Sequence, residues 1–406
     1  MSRVLQQFPV GLCRNTRAAP GSAYGEAERA ILNRAEGAAA RRIIEAWPGY
    51  RATPLYSLPG LAAAIGIAEL WYKDEAGRFG LGSFKALGGA YAVYRLLAAK
   101  IADGIGRIPS AAELLSGQYR AMTGDIVVTS ATDGNHGRSV AWGAQQFGCR
   151  AVIYIHATVS EGRCRAIAGY GAEVVRIAGN YDDSVHHCAA EAVRRGWQVV
   201  SDTSYEGYRD VPRMVMQGYS VMAAEAVDEL GAGIKPSHVF LQGGVGGLAA
   251  AVVAELWEAW GKDRPRFIVV EPERADCLYQ SALAGRPTKS EGDLETLMAG
   301  LAAGEVSLLA WDILKRGAEF FMIIPDAAAV AAMRLLAAGV GGDAPVVGGE
   351  AGVGGLAGVL AAAADHPTRE AIGLDGASRV MVFGSEGATD PELYRRIVGR
   401  SPQAVG

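Results

Sequence analysis

The chain of 406 residues is half apolar, one-fifth charged, and carries a formal net charge of −4. That length and apolar content suffice for two compact α/β lobes with large cores, and the slight acidity argues against nucleic acid or a membrane surface as partner. Five dispersed cysteines (Cys13, Cys149, Cys164, Cys188, Cys277) form no Cys-x-x-Cys pair, which argues against a disulfide framework or structural zinc site and fits a reducing compartment.

In chain order, the opening MSRVLQQFPVGLCRN lacks the apolar centre of a signal peptide. No later stretch reaches the roughly 18 unbroken apolar residues of a spanning helix, so a cytoplasmic protein is expected. Lys85 stands among small residues just before a predicted helix over 90–100. The polar stretch 109–124 reads as a surface segment of the smaller lobe. Predicted strands then start at 126, 151, 173 and 197, with intervening helices closing near Gly148, Gly171 and Gly196. A repeat of roughly 25 residues suits the βα units of a parallel sheet, and glycine supplies the left-handed residue a helix end often needs. A second α/β block runs from a strand at 237–241 through a glycine loop and a helix to about Trp260, then a strand at 267–270. Beyond 300 the pattern is helical and rich in alanine and glycine until an apolar strand at 380–383. The six histidines show no metal-ligand spacing, and no metal site is assigned.

Three short segments carry chemistry. Lys85 lies in Gly82-Ser83-Phe84-Lys85-Ala86-Leu87-Gly88-Gly89. A lysine amine becomes a covalent catalyst when a carbonyl cofactor makes it a Schiff base; taken alone, this one is an ordinary surface lysine at a helix start. Asn135, in Ala131-Thr132-Asp133-Gly134-Asn135-His136-Gly137, follows a strand on a turn that opens a helix. Taken alone it is a capping turn, as Asn and Gly favour, and His136 reads as structural. Gly243, Gly244, Val245, Gly246 and Gly247 join a strand to a helix, where backbone N–H groups bind phosphate and glycine permits close approach. The hexapeptide at 244–249 recurs at 352–357; the first copy has the cleaner strand–loop–helix context, and the second reads as close helix packing near the substrate. The first copy also satisfies the dinucleotide fingerprint G-x-G-x-x-A, with Glu271 at the end of the next strand as a ribose ligand. An NAD-dependent dehydrogenase is therefore an alternative, though it leaves the Lys85 and Asn135 segments without a purpose.

Lysine, asparagine loop and glycine loop, in that order, resemble the fold-type II pyridoxal-phosphate enzymes, which include threonine and serine dehydratases and the tryptophan synthase β-chain. The resemblance implies an α/β fold of two lobes, three-layer αβα, tryptophan synthase β-like, with a cleft between the lobes. It implies a small domain (93–205) inserted into a large one (1–92 and 206–406). Pyridoxal 5'-phosphate would be held by Lys85, with Asn135 at its phenolic oxygen and 243–247 at its phosphate. Ser385 would face the pyridine nitrogen; a hydroxyl there does not hold that nitrogen protonated, which suits elimination over transamination. Glu350 maps near the cofactor's edge without an assignable role, and the resemblance further implies a homodimer.

One departure narrows the family. Asp133 fills the second position of the dehydratases' usual Ser-x-Gly-Asn-His, two residues before Asn135, and Asp202-Thr203-Ser204-Tyr205-Glu206-Gly207-Tyr208 and Met216-Gln217-Gly218-Tyr219 follow. With Trp71-Tyr72-Lys73-Asp74-Glu75, 300–305, 349–352 and 386–391, the chain resembles the diaminopropionate ammonia-lyase family over most of its length. That implies a small amino-acid substrate, 2,3-diaminopropionate, cleaved to pyruvate and two ammonia through an aminoacrylate, from either the D- or the L-isomer. The β-amino group must depart protonated, and a carboxylate can orient that ammonium or move protons at Cα. Asp133 and Asp202 map onto the family's active-site aspartates: Lys85 would serve the L-isomer, Asp133 the D-isomer from the other face, and Asp202 would hold the distal ammonium. Taken alone, Asp133 is a helix cap and Asp202 a loop residue, while Asp182 and Asp183 compete weakly. The alternatives are a lyase of the same family acting on serine, threonine or another β-substituted amino acid, and a non-catalytic cofactor-binding protein.

Overall fold

The structure, a computed structural model, describes residues 5–132, 134–179, 181–231 and 233–405. Asp133 lies outside the described residues, as does the side chain of Asp182. In chain order the strands are β1 (Gly11–Arg14), β2 (Leu55–Ser57), β3 (Glu69–Asp74), β4 (Val127–Thr132), β5 (Arg150–His156) and β6 (Glu173–Ile177). They continue as β7 (Gln198–Val199), β8 (His238–Gln242), β9 (Arg266–Pro272), β10 (Phe320–Ile324) and β11 (Arg379–Gly384).

The chain forms two compact units. The first comprises Met1–Arg34, Ala52–Ser83 and Met222–Gly406; the second comprises Ala35–Arg51 and Phe84–Val221. The second is wider than the segment 93–205 for identifiable reasons of packing. Its Trp47 meets Trp142 and Phe147 edge-on, at 5.9 and 5.5 Å between ring centroids. Its helix Lys85–Ile105 lies against the helix Asn135–Phe147 so closely that a Cβ on Gly143 would fall 2.8 Å from Ala90 Cα.

In the first unit the sheet order is β1-β10-β9-β8-β11-β3-β2. The five central strands are parallel, and the short outer strands β1 and β2 are antiparallel. β8 is buried throughout and β9 almost so, and strands covered on both faces read as unbroken apolar runs. In the second unit β6-β5-β4-β7 is wholly parallel, with starts within one residue of those expected. Gly148, at φ +75°, closes the helix Asn135–Phe147 as a left-handed cap.

One expectation is corrected. The region after 300 is not helical throughout, since β10 (FFMII) lies within it; five apolar residues are too few for periodicity to separate strand from buried helix. The stretch 109–124 holds two short helices, Ala111–Leu115 and Arg120–Thr123, the first with a Ser110–Glu113 capping box. The second hexapeptide copy does mark close packing: a Cβ on Gly352 or Gly355 would fall 2.3 Å from Glu386 O or 2.6 Å from Phe240 O. No helix among the described residues is long and apolar enough to cross a membrane.

Ahead of the Lys85 segment, a buried charge network fixes the turn Glu75–Gly80 in the first unit. Arg78 forks between Glu75 (2.8 Å) and Glu225 (2.7 Å). Thr53 Oγ1 donates to Glu75 (2.6 Å), and Lys73 lies 3.1 Å from Glu225. Buried charges are tolerable only when their partners are complete. Glu225→Gln should therefore cost about 3–5 kcal/mol in urea unfolding; a loss below about 1 kcal/mol, the scale of an exposed pair, would show that the network does not hold this turn.

Candidate active site

Lys85 opens a 21-residue helix, where the positive pole of the helix disfavours an ammonium. A local anion compensates: Lys85 Nζ donates to Asp202 Oδ2, with the two side chains 19% and 12% exposed. Partial exclusion of water strengthens such a pair relative to a surface one. The ammonium also lies over two rings, 5.4 Å from that of Phe84 and 5.7 Å from that of Tyr219, which are 4.5 Å apart and add cation–π attraction. This arrangement needs helices in close contact. A side chain at Gly88 would collide with the Tyr219 ring, and one at Gly218 with the Leu87 carbonyl.

Asp202 follows β7 in a loop braced by Tyr208, whose hydroxyl donates to the Val199 carbonyl (2.9 Å) and accepts from Ser201 N–H (3.1 Å). Tyr205 and Tyr208 exchange backbone hydrogen bonds and stack at 5.0 Å. A carbonyl can only accept, so His136 Nε2 donates to Val200 O (2.9 Å), and its Nδ1 lies 3.8 Å from Asp202 Oδ2. Burial works to raise the Asp202 carboxyl, but the Lys85 and His136 charges outweigh it and hold it below the usual carboxylate range. Burial likewise pushes the Tyr219 phenol up, so it stays protonated.

Asn135 is the first residue of its helix, with its Oδ1 accepting from Arg138 (3.2 Å). Thr132 Oγ1 caps that helix start by accepting from Gly134 and Gly137 N–H (3.0 and 3.1 Å). One turn after Asn135, Ser139 Oγ donates to Lys85 O (2.6 Å) and accepts from Ala90 N–H (3.1 Å). The second unit thus brings Lys85, Asp202 and His136 together and ties the asparagine helix to the lysine helix. Sequence reasoning gave no role to Ser139, Phe84, Tyr208 or Tyr219. Phe84, Tyr208 and Tyr219 fall inside motifs that carry the resemblance, and Ser139 closes the run from Ser130 that carries it too.

The glycine loop and Ser385 belong to the first unit. Gly243 N–H donates to Val270 O (2.8 Å), Ser307 N–H donates to Val245 O (2.9 Å), and Gly244 and Gly246 take φ of +61° and +98°. The helix Gly247–Trp260 begins there, leaving first-turn N–H groups without helical acceptors. A Cβ on Gly244 would meet Gly300 O at 3.6 Å and Leu301 Cδ2 at 3.7 Å, ordinary contacts, so residues 300 and 301 lie beside the loop. Ser385 is buried directly after β11, and the glutamate after it accepts from Ala351 N–H (3.2 Å). Glu271, the ribose ligand of the dehydrogenase alternative, is buried with both oxygens accepting backbone N–H groups of the next helix. Buried in this way, it is out of reach of a ribose. Taken unit by unit, a partly buried amine suits the aldehyde of pyridoxal phosphate and a glycine-rich helix start suits its phosphate.

Residues 46–374 match the model of the family described as "Pyridoxal-phosphate dependent enzyme". The diaminopropionate ammonia-lyase of Escherichia coli (strain K12) is 40% identical over 382 residues, spanning 92% of this chain and 94% of that protein. The crystal structure of the holo enzyme from Escherichia coli superposes with a TM-score of 0.88 at 35% identity, covering 97% of each chain. The same enzyme in complex with an aminoacrylate-PLP azomethine reaction intermediate gives 0.86 at 34%, covering 97% of this chain and 98% of that one.

The lowered Asp202 carboxyl has a pH signature. Its contribution to stability is present above the unfolded value of about 4 and is lost as pH falls through the lower folded value. In the cofactor-free protein, wild type should be more stable than Asp202→Asn at neutral pH, with the gap in denaturation midpoint closing below about pH 4. A gap that stays constant into acid would show that Asp202 is not held ionised by Lys85.

Proposed function

The chain belongs to the pyridoxal-phosphate-dependent enzymes, in the family of diaminopropionate ammonia-lyases, and from that premise we propose that it eliminates ammonia from 2,3-diaminopropionate to give pyruvate and two ammonia. The observation that carries this reading is the contact between Lys85 and Asp202. A carboxylate that already holds one ammonium is suited to hold another, the β-ammonium of the substrate, once Lys85 is engaged elsewhere. Elimination of water from serine needs no such anion.

When bound, pyridoxal phosphate draws electron density away from the substrate's Cα and so makes its proton removable. In this reading Lys85 would hold the cofactor by its aldehyde carbon, and its amine, set free when the substrate's amine takes that place, would take the Cα proton of the L-isomer. Asp133 takes that of the D-isomer from the opposite face. The Cα–H electron pair becomes the Cα–Cβ double bond as the Cβ–N bond breaks, and Asp202 keeps the departing nitrogen protonated so that it leaves as ammonia. The unsaturated amino acid, once free, takes up one water and gives pyruvate and the second ammonia. Asn135 would orient the ring, Gly243, Gly244, Val245, Gly246 and Gly247 would hold the phosphate, and Ser385 would face the ring nitrogen. Buried Ser385 and the helix start at Gly247 support those roles. A homodimer in the cytoplasm belongs to the same reading, and the five free cysteines agree with a reducing compartment.

Lys85→Ala should abolish the visible absorbance of lysine-bound cofactor and lower pyruvate release by at least about 10³-fold. In wild type, borohydride should fix the cofactor to the peptide containing Lys85, and 2,3-diaminopropionate should outpace serine. Pyruvate formed at full rate by a colourless Lys85→Ala protein would refute the assignment. Asp133→Asn should cut turnover of the D-isomer about 10²-fold or more while sparing the L-isomer; equal losses would reject the two-face division.

A further inference from the structure

The glycine loop is gripped from behind by a helix start that the proposed chemistry does not use. Glu271 ends on the inner side of β9, fully buried. Its Oε1 accepts from Leu278 N–H (3.0 Å) and its Oε2 from Tyr279 N–H (2.7 Å), at the first turn of the helix Cys277–Ala284. That turn presses on the loop. Cys277 Sγ donates to the Gly244 carbonyl (3.6 Å). A Cβ on Gly243 would fall 2.6 Å from Glu271 Cγ and 3.2 Å from Leu278 Cδ1, and one on Gly246 would fall 3.4 Å from Leu278 Cδ2.

We infer that Glu271 is the positioning residue of the phosphate loop: it locks the Cys277–Tyr279 turn against Gly243, Gly244 and Gly246 and so fixes the aim of the loop's N–H groups at a phosphate dianion. Charge agrees with the geometry. Burial pushes the Glu271 carboxyl up to about 8, against the pull of the two backbone donors, so at neutral pH it is mostly uncharged and sets no anion behind a loop meant for one.

The inference rests on the reading of 243–247 as the phosphate site, and the two can be separated by comparing pyridoxal 5'-phosphate with pyridoxal. Each is titrated into the cofactor-free full-length protein and followed by visible absorbance, without any turnover. Glu271→Leu keeps the bulk but removes both acceptors; it should lower the preference for the phosphorylated form about tenfold or more, the scale of misplaced charge-assisted hydrogen bonds. Glu271→Gln keeps one acceptor and should retain most of that preference. A wild-type preference in Glu271→Leu, or an equal loss for both ligands, overturns the inference. Should Glu271→Leu not fold, Glu271→Gln decides: a small selective loss supports the inference, and no selective loss overturns it. Gly244→Asp puts a charge in the loop itself. If it abolishes the preference while Glu271→Leu does not, only the inference fails; if it too leaves the preference intact, the phosphate-loop reading fails.

Discussion

An ammonium at the positive end of a helix is tolerable only beside an anion, and the second unit is organised around that requirement. Asp202 supplies the charge, His136 and Tyr208 hold the loop that presents it, and Ser139 pins the backbone of Lys85. The Ser139 contact, and that of Tyr219, need helices that approach more closely than ordinary side chains permit. The glycines of the lysine segment and of Gln217-Gly218-Tyr219 are therefore part of the electrostatics, since they let the Tyr219 ring reach the amine.

Three enclosed acids meet two fates here, and the difference follows from their neighbours. Glu225 remains charged because Arg78 and Lys73 surround it. Asp202 remains charged because Lys85 faces it. Glu271 meets two amide N–H groups and the Cys277 thiol, which do not offset complete burial, so its carboxyl is pushed up to about 8. A carboxyl in the interior is thus a counter-charge or a neutral brace according to whether a cation stands opposite it.

The parallel strands were legible because burial on both faces writes apolar runs, and left-handed glycine caps punctuate the intervening helices. The outer strands β1 and β2, four and three residues long, left no such mark, since their pairing is imposed by the neighbours they meet in the folded sheet. Lys85, Asn135 and the glycine loop announced themselves through local sequence. The Lys85–Asp202 pair spans 117 positions, a separation no local pattern reports, and Asp202 was reached only through family resemblance. Glu271 shows the opposite failure. Its place at a strand end after a glycine loop suggested a ribose ligand, and only the folded chain reveals that both its oxygens are already occupied.

The hairpin beyond Asp202 contrasts with the crowded lysine helix. Tyr205, Glu206 and Gly207 all face solvent, and Tyr205 leans only on the ring of Tyr208. Residues locked by interpenetrating backbones cannot drift, whereas an outward rim can. Substitution is accordingly freest at this rim, while the lysine stays fixed by the helices that crowd it.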